Sequence, residues 1–279
     1  MDRASNSNVG PTRRTTCFNG HDVAYYSFGV GPEALVFIHG WTCSSILWRQ
    51  AGDSLLRRHH RSLLIDLPGH GESYADKPDH LEKTEYGQEV FARSVKAVLD
   101  NAGVTRAVLV GHSMGGPVST MVLRLFTPVV QGIIYVDSFF HSPETYMSGT
   151  ERRELAKKLQ RDSDFEAMIN NRFWTERTNQ ESRTKITETM MATRLYVRVN
   201  AVTTDSLPHA FRFDEIYRVP ALLIATPERA NIDPHWLHHM PELKISVWED
   251  HGHFLFMEDP ERFAAEVEGF LVEHNFCCL

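Results

Sequence analysis

Cysteine is scarce, with only Cys17, Cys43, Cys277 and Cys278 in 279 residues, two of them adjacent. That excludes a disulfide framework, and no Cys/His cluster has zinc-site spacing. The expectation is reduced thiols, no metal and a cytoplasmic protein. Long apolar runs are missing as well. No uninterrupted stretch of about 18 apolar residues occurs, so no membrane span is expected. The opening segment MDRASNSNVGPTRRTT has no apolar signal-peptide core. Basic excess is also lacking: 29 Lys+Arg stand against 36 Asp+Glu, a formal net charge of -7. Without a basic stripe to meet a phosphate backbone, nucleic acid is excluded as a partner. What is present is 42% hydrophobic and 23% charged residues, enough for a large globular core.

The polar residues 1–16 read as a disordered tail. Residues 16–26 surround Asn19-Gly20, a strong hairpin signal, and predict an antiparallel edge. Near-continuous apolar runs follow at 34–39 (ALVFIH), 62–67 (SLLIDL), 107–111 (AVLVG), 132–137 (GIIYVD) and 221–225 (ALLIA), and 244–248 alternates. Such runs suit strands buried on both faces, as in a parallel sheet. Helical spacing separates them. Val90, Phe91, Val95, Val98 and Leu99 mark a helix over 84–102 with Gly103 as its C-cap. A second spans 117–126, and a third, behind Pro260, carries Phe263, Val267, Phe270 and Leu271. Alternating strands and helices predict an α/β protein with a doubly wound, mostly parallel sheet.

One segment breaks the alternation. Residues 139–212 hold no strand-like run but two or three charged helical stretches, near 150–171 and 180–202, too long for an ordinary αβ loop. Phe165, Phe173, Trp174, Met190, Met191 and Tyr196 within it need burial. The segment therefore reads as a helical cap inserted after the sixth strand. The core is then residues 17–138 and 213–279.

The central motif is Gly111-His112-Ser113-Met114-Gly115-Gly116, between an apolar strand and a helix. Glycines around a serine in that context permit a strained strand-to-helix turn that lifts the hydroxyl into the open, with helix N–H groups beside it for an oxyanion. A serine hydroxyl needs a base to become a nucleophile.

With this motif stand Val36-Phe37-Ile38-His39-Gly40-Trp41, Asp66-Leu67-Pro68-Gly69-His70-Gly71-Glu72-Ser73 and Gly252-His253-Phe254. Together, in this order, the chain resembles the capped α/β-hydrolase superfamily, in its serine-nucleophile branch, over residues 22 to 272. The resemblance implies Ser113 as nucleophile, His253 as base, and the backbone N–H groups of Trp41 and Met114 as oxyanion-hole donors. It implies structural duty for His39, Asp66 and His70. His251 is the nearest competitor as base, but the superfamily's Gly-His pair falls on His253. Haloalkane dehalogenases and epoxide hydrolases carry Asp at the elbow, so Ser113 points to acyl transfer.

The acid departs from the superfamily's usual pattern, which would place Asp where Arg229 stands. Three carboxylates remain open: Asp137 at the end of the 132–137 run, preferred, then Asp233, whose position before Pro234 also suits a helix cap, and Glu228. Phe139 and Phe140 are expected to bind substrate, with Trp41, Met114 and cap aromatics as further pocket candidates. The expectation is an esterase, thioesterase or lactonase for a medium-sized apolar small molecule, without cofactor, as a monomer or homodimer. The same triad can instead run carbon–carbon cleavage or lyase chemistry, and the fold can serve a small-molecule receptor.

Overall fold

The computed structural model describes residues 11–49, 61–74, 86–140, 148–203, 214–232 and 234–276. Asp233, Cys277 and Cys278 lie outside them. Eight strands form one sheet in the order β1-β2-β4-β3-β5-β6-β7-β8. They are β1 (Thr12–Phe18), β2 (His21–Phe28), β3 (Glu33–Ile38), β4 (Ser62–Ile65), β5 (Arg106–His112), β6 (Val130–Val136), β7 (Ala221–Ala225) and β8 (Leu243–Val247).

The β1/β2 hairpin is antiparallel with Phe18 opposite His21. Its turn residues Asn19 and Gly20 have φ of 50° and 83°, the double positive φ that favours Asn-Gly. β1 starts at Thr12, so residues 12–16 are paired strand where a disordered tail was expected. The pairing of Thr12 to Thr16 with β2 is not signalled by the polar, largely exposed side chains. β2 also pairs antiparallel with β4, and from β4 to β8 the pairs are parallel.

The apolar strand runs are explained by burial on both sides. In β3, Val36 and Ile38 face one buried cluster and Leu35 and Phe37 the other. The first cluster takes α1 (Gln88–Ala102) and α2 (Gly115–Phe126), through Phe91, Val95, Val118 and Met121. Gly103 closes α1 in the left-handed conformation. The second cluster takes the C-terminal helix Pro260–Glu273 through Phe263, Val267, Phe270 and Leu271.

Among the described residues between β6 and β7 run four helices, α3 (Gly149–Leu159), α4 (Asp162–Arg172), α5 (Gln180–Ala192) and α6 (Leu195–Thr203). Each helical stretch expected from the sequence is therefore divided in two. Ser148 and Glu151 form a capping box on α3, and Asn179 caps α5. The second division lies at Thr193, which is extended and donates its hydroxyl to the Thr42 carbonyl at 2.9 Å. A tertiary bond of this kind leaves no periodic trace in the sequence. No helix among the described residues is long and apolar enough to cross a membrane. The C-terminal helix is α7 below.

Candidate active site

The strand order positions the site. After β3 the chain moves outward to β4 and then returns to β5 on the other side of β3. Loops leaving adjacent parallel strands at such a reversal diverge and open a crevice at the strands' C-terminal ends. The loop after β3 begins His39-Gly40-Trp41, and β5 ends at His112, before Ser113. The two meet closely: a Cβ on Gly40 would lie 3.2 Å from the Ser113 Cβ and 2.9 Å from His112 Nδ1.

Ser113 has φ 50°, in the left-handed region that a non-glycine residue enters only when its surroundings hold it there. Its N–H donates to the Val136 carbonyl at 3.0 Å, and its own carbonyl accepts from the Gly116 N–H at 3.0 Å and from the Ser138 hydroxyl. The flanking glycines are required by space. A Cβ would stand 2.4 Å from the Gly115 carbonyl oxygen at Gly111, 2.2 Å from the Ile38 oxygen at Gly115, and 1.9 Å from Ser138 Oγ at Gly116. Gly115→Ala, which presses on rigid backbone, should destabilise the fold by at least about 1–3 kcal/mol. Gly269→Ala on α7, with nothing within 4 Å, should stabilise it by about 0.5–1 kcal/mol. Urea unfolding midpoints of the two variants check both signs.

His253 and Asp137 meet across the sheet. His253 Nδ1 is 2.6 Å from Asp137 Oδ2, and the two side chains are 12% and 4% exposed. The other carboxylate oxygen accepts the Thr226 N–H at 2.9 Å and the Thr226 hydroxyl at 2.8 Å. Parallel pairing explains the meeting. Val136 is level with Ile224 and the Asp137 N–H bonds the Ile224 carbonyl, so Asp137 emerges beside Thr226. Burial pushes the Asp137 pKa up, but the His253 bond and charge and the Thr226 donors outweigh it, and the net shift is below the ordinary carboxylate value. Asp137 is therefore ionised. A carboxylate acceptor fixes the His253 proton on Nδ1 and leaves Nε2 as the basic nitrogen.

Three further contacts on this pair, and a fourth on the residue before His253, were not anticipated from the sequence. Thr226 holds the carboxylate. Phe173, just beyond α4, stacks on the His253 ring at 5.0 Å and 20°. The His253 carbonyl accepts from His112 Nε2 at 2.8 Å. Glu258 takes the Gly252 N–H at 2.8 Å on one oxygen and the hydroxyls of Thr175 (3.1 Å) and Thr178 on the other. Glu258 thus ties the loop after α4 to the loop carrying His253. Only Thr226 had a usable signal, as the residue directly after the apolar run at 221–225.

The other expected residues distribute as follows. Trp41 donates its indole N–H to the Arg198 carbonyl at 2.8 Å and meets Phe165 edge-on at 5.3 Å, so the loop after β3 touches α4 and α6. The backbone N–H groups of Trp41 and Met114 have no backbone acceptor among the described residues. Phe139 is half-buried, with the Arg229 guanidinium 6.0 Å from its ring. Phe140, expected at the substrate, is 1% exposed and stacks on His239 at 5.1 Å, with Trp236 beyond. That packing assigns Phe140 to the core instead. Glu228 is exposed on the short turn Pro227–Ala230. Asp233 is outside the described residues.

His39, Asp66 and His70 build the scaffold beneath. His39 Nδ1 donates to the Gly40 carbonyl and Nε2 accepts the Leu67 N–H. Asp66 accepts the N–H groups of Ser45 and Glu72. Burial lowers His39 to about 4 and His70 to about 3. These histidines stay neutral in the fold while their unfolded counterparts protonate near 6.5, so acid binds the unfolded chain preferentially. Stability is fully present above pH 6.5 and is lost as pH falls toward 4, by up to about 1.4 kcal/mol per pH unit for each histidine. Urea midpoints recorded between these limits should fall steeply, and a flat profile contradicts the neutral assignment.

Among the described residues no group of three or more His, Cys, Asp or Glu could hold a metal ion. Residues 35–266 match the alpha/beta hydrolase family, and the chain belongs to that family. It is similar to a 2-hydroxy-6-oxononadienedioate/2-hydroxy-6-oxononatrienedioate hydrolase of Burkholderia vietnamiensis, 28% identical over 275 residues, covering 89% of this chain and 90% of that one. Among solved structures it is similar to Est816, described as an N-acyl homoserine lactone degrading enzyme (25% identity, TM-score 0.71, 92% of this chain and 100% of that chain). The fold is also that of the esterase RhEst1 from Rhodococcus sp. ECU1013 (24% identity, TM-score 0.73, 95% and 99%). Two curated relatives that match the chain over 89% of its length are both named as hydrolases.

Proposed function

We propose that this chain is a serine hydrolase that opens an ester, thioester or lactone of a medium-sized apolar small molecule through an acyl-enzyme on Ser113. The observation that carries the reading is the His253–Asp137 pair at 2.6 Å, tied through the His253 carbonyl to His112, the residue before a serine at φ 50° on a strand-to-helix turn. His253 Nε2 takes the Ser113 proton as Oγ attacks the carbonyl carbon. Asp137 holds the imidazolium that forms. The backbone N–H groups of Trp41 and Met114 take the oxyanion, each donor contributing about 2.7–4 kcal/mol. His253 then returns the proton to the leaving oxygen or sulfur, and a water activated by the same base releases the acid. No metal or organic cofactor enters.

The four helices between β6 and β7 act as the cap. They and the turns between them meet the site through Trp41–Arg198, Thr42–Thr193 and Phe173–His253, with Phe165 against Trp41. Free thiols at Cys17 and Cys43 accord with a cytoplasmic, reducing setting.

A second reading is favoured by one finding, the full-length similarity to a 2-hydroxy-6-oxo dienedioate hydrolase. Such a substrate contains no ester, so its hydrolysis has to break a carbon–carbon bond. The discriminating experiment offers p-nitrophenyl esters of graded acyl length and, separately, a 2-hydroxy-6-oxo dienoate, with product analysis. Ester turnover with an apolar length preference supports the first reading. Turnover of the dienoate alone overturns it in favour of carbon–carbon hydrolysis.

A further inference from the structure

We propose that His112 is a positioning residue, through which the elbow itself sets the spacing between nucleophile and base. The inference rests on the reading of Ser113 and His253 just given. His112 is the last residue of β5, covalently joined to Ser113 and paired in register with Val136. Its ring is buried at 1% exposure and enclosed by Phe254 at 4.9 Å, Phe256 at 5.1 Å and Trp48 at 6.1 Å. A ring packed in this way has one orientation available.

From that orientation Nε2 lies 2.8 Å from the His253 carbonyl oxygen. A carbonyl only accepts, so the tautomer is Nε2–H and the bond runs from the elbow to the main chain of the base. Nδ1 carries no proton and borders Gly40, at the start of the oxyanion loop. One ring thereby contacts all three parts of the machinery. Its role differs from that of Asp137: the carboxylate turns the His253 ring, whereas His112 fixes the backbone from which that ring hangs. Burial, then the neighbouring His253 and His39, outweigh the bond to the His253 carbonyl and the charge of Asp137 and keep His112 well below the usual histidine range. His112 therefore stays neutral beside His253, whose ring is 4.7 Å away.

The test pairs His112→Gln with His112→Met, side chains of similar length of which only glutamine donates a hydrogen bond. With Met, kcat should fall roughly 10²-fold, the cost of a misplaced base near 1 Å, with KM little changed. Phosphonate labelling of Ser113 should slow in parallel. Gln should restore most of both. The low-field proton resonance of His253 Nδ1–H should match wild type in the Gln variant and shift or broaden in the Met variant. Equal rates and equal resonances in the two variants overturn the proposal. A measurement on the unmodified protein stands apart from whether the variants fold: ¹⁵N-histidine spectra should report His112 as a non-titrating Nε2–H tautomer throughout the activity range. An Nδ1–H tautomer, or titration in that range, also overturns it. If the wild-type protein takes no phosphonate on Ser113, the acyl-transfer reading fails separately, while the tautomer measurement still decides whether the tie exists.

Discussion

Ser113→Ala is expected to lower kcat for ester hydrolysis by on the order of 10⁴–10⁶-fold, as loss of a nucleophile that works as a unit with its base does. The fold should be little affected. The contacts that hold this turn are made by the Ser113 backbone, with Val136, Gly116 and Ser138, and alanine tolerates the same φ as serine. Stability should change within about 0.5 kcal/mol, so lost turnover is not lost folding. Melting curves and p-nitrophenyl ester rates, measured on one preparation, separate the two. Residual turnover near the wild-type level contradicts a serine nucleophile and directs attention to water or proton-relay chemistry at the same site.

Asp137→Asn should cost about 10⁴-fold in kcat, for a reason visible in the hydrogen bonds. An asparagine oxygen can keep accepting from Thr226, as Oδ1 does now. Its amide nitrogen then faces His253 Nδ1 and donates to it. That forces the imidazole proton onto Nε2, the nitrogen that has to accept from Ser113, so the base is lost with little movement of any atom. Glu228→Gln and Asp233→Asn are the controls and should stay within a few-fold of wild type, Glu228 because it is exposed on its turn. Steady-state rates with a single ester decide the matter. A large loss in either control, with Asp137→Asn active, would move the acid to that residue.

Much of the fold was readable because strands buried on both faces must be apolar throughout, and the runs at 34–39, 107–111 and 221–225 fall within a residue or two of β3, β5 and β7. The elbow was readable for a steric reason, since only glycine fits against the Ile38 oxygen and Ser138 Oγ. Asp137 could be preferred over its rivals because it ends a strand run, but its distance from His253 depends on β6 lying beside β7, which the sequence alone does not determine. The second break within the helical segment between β6 and β7 was hidden because Thr193 is drawn out of helix by a bond to Thr42, 151 residues earlier. Phe140 was misjudged because an aromatic beside Asp137 looks the same in one dimension whether it turns to the crevice or toward Trp236 and His239. Contacts made by His112, Phe173 and Glu258 on the base loop were invisible for a related reason: each joins segments far apart in the chain by a single interaction that imposes no pattern.

The most direct measurement is intact-mass and peptide-level analysis after exposure to a fluorophosphonate probe, which reacts only where a serine is activated by a base and an oxyanion hole accepts the phosphoryl oxygen. One adduct per chain, located on Ser113 and abolished in Ser113→Ala and Asp137→Asn, is the expected result. Folded protein that takes no adduct, or takes it on another residue, contradicts the assignment of Ser113, His253 and Asp137 as an acyl-transfer site.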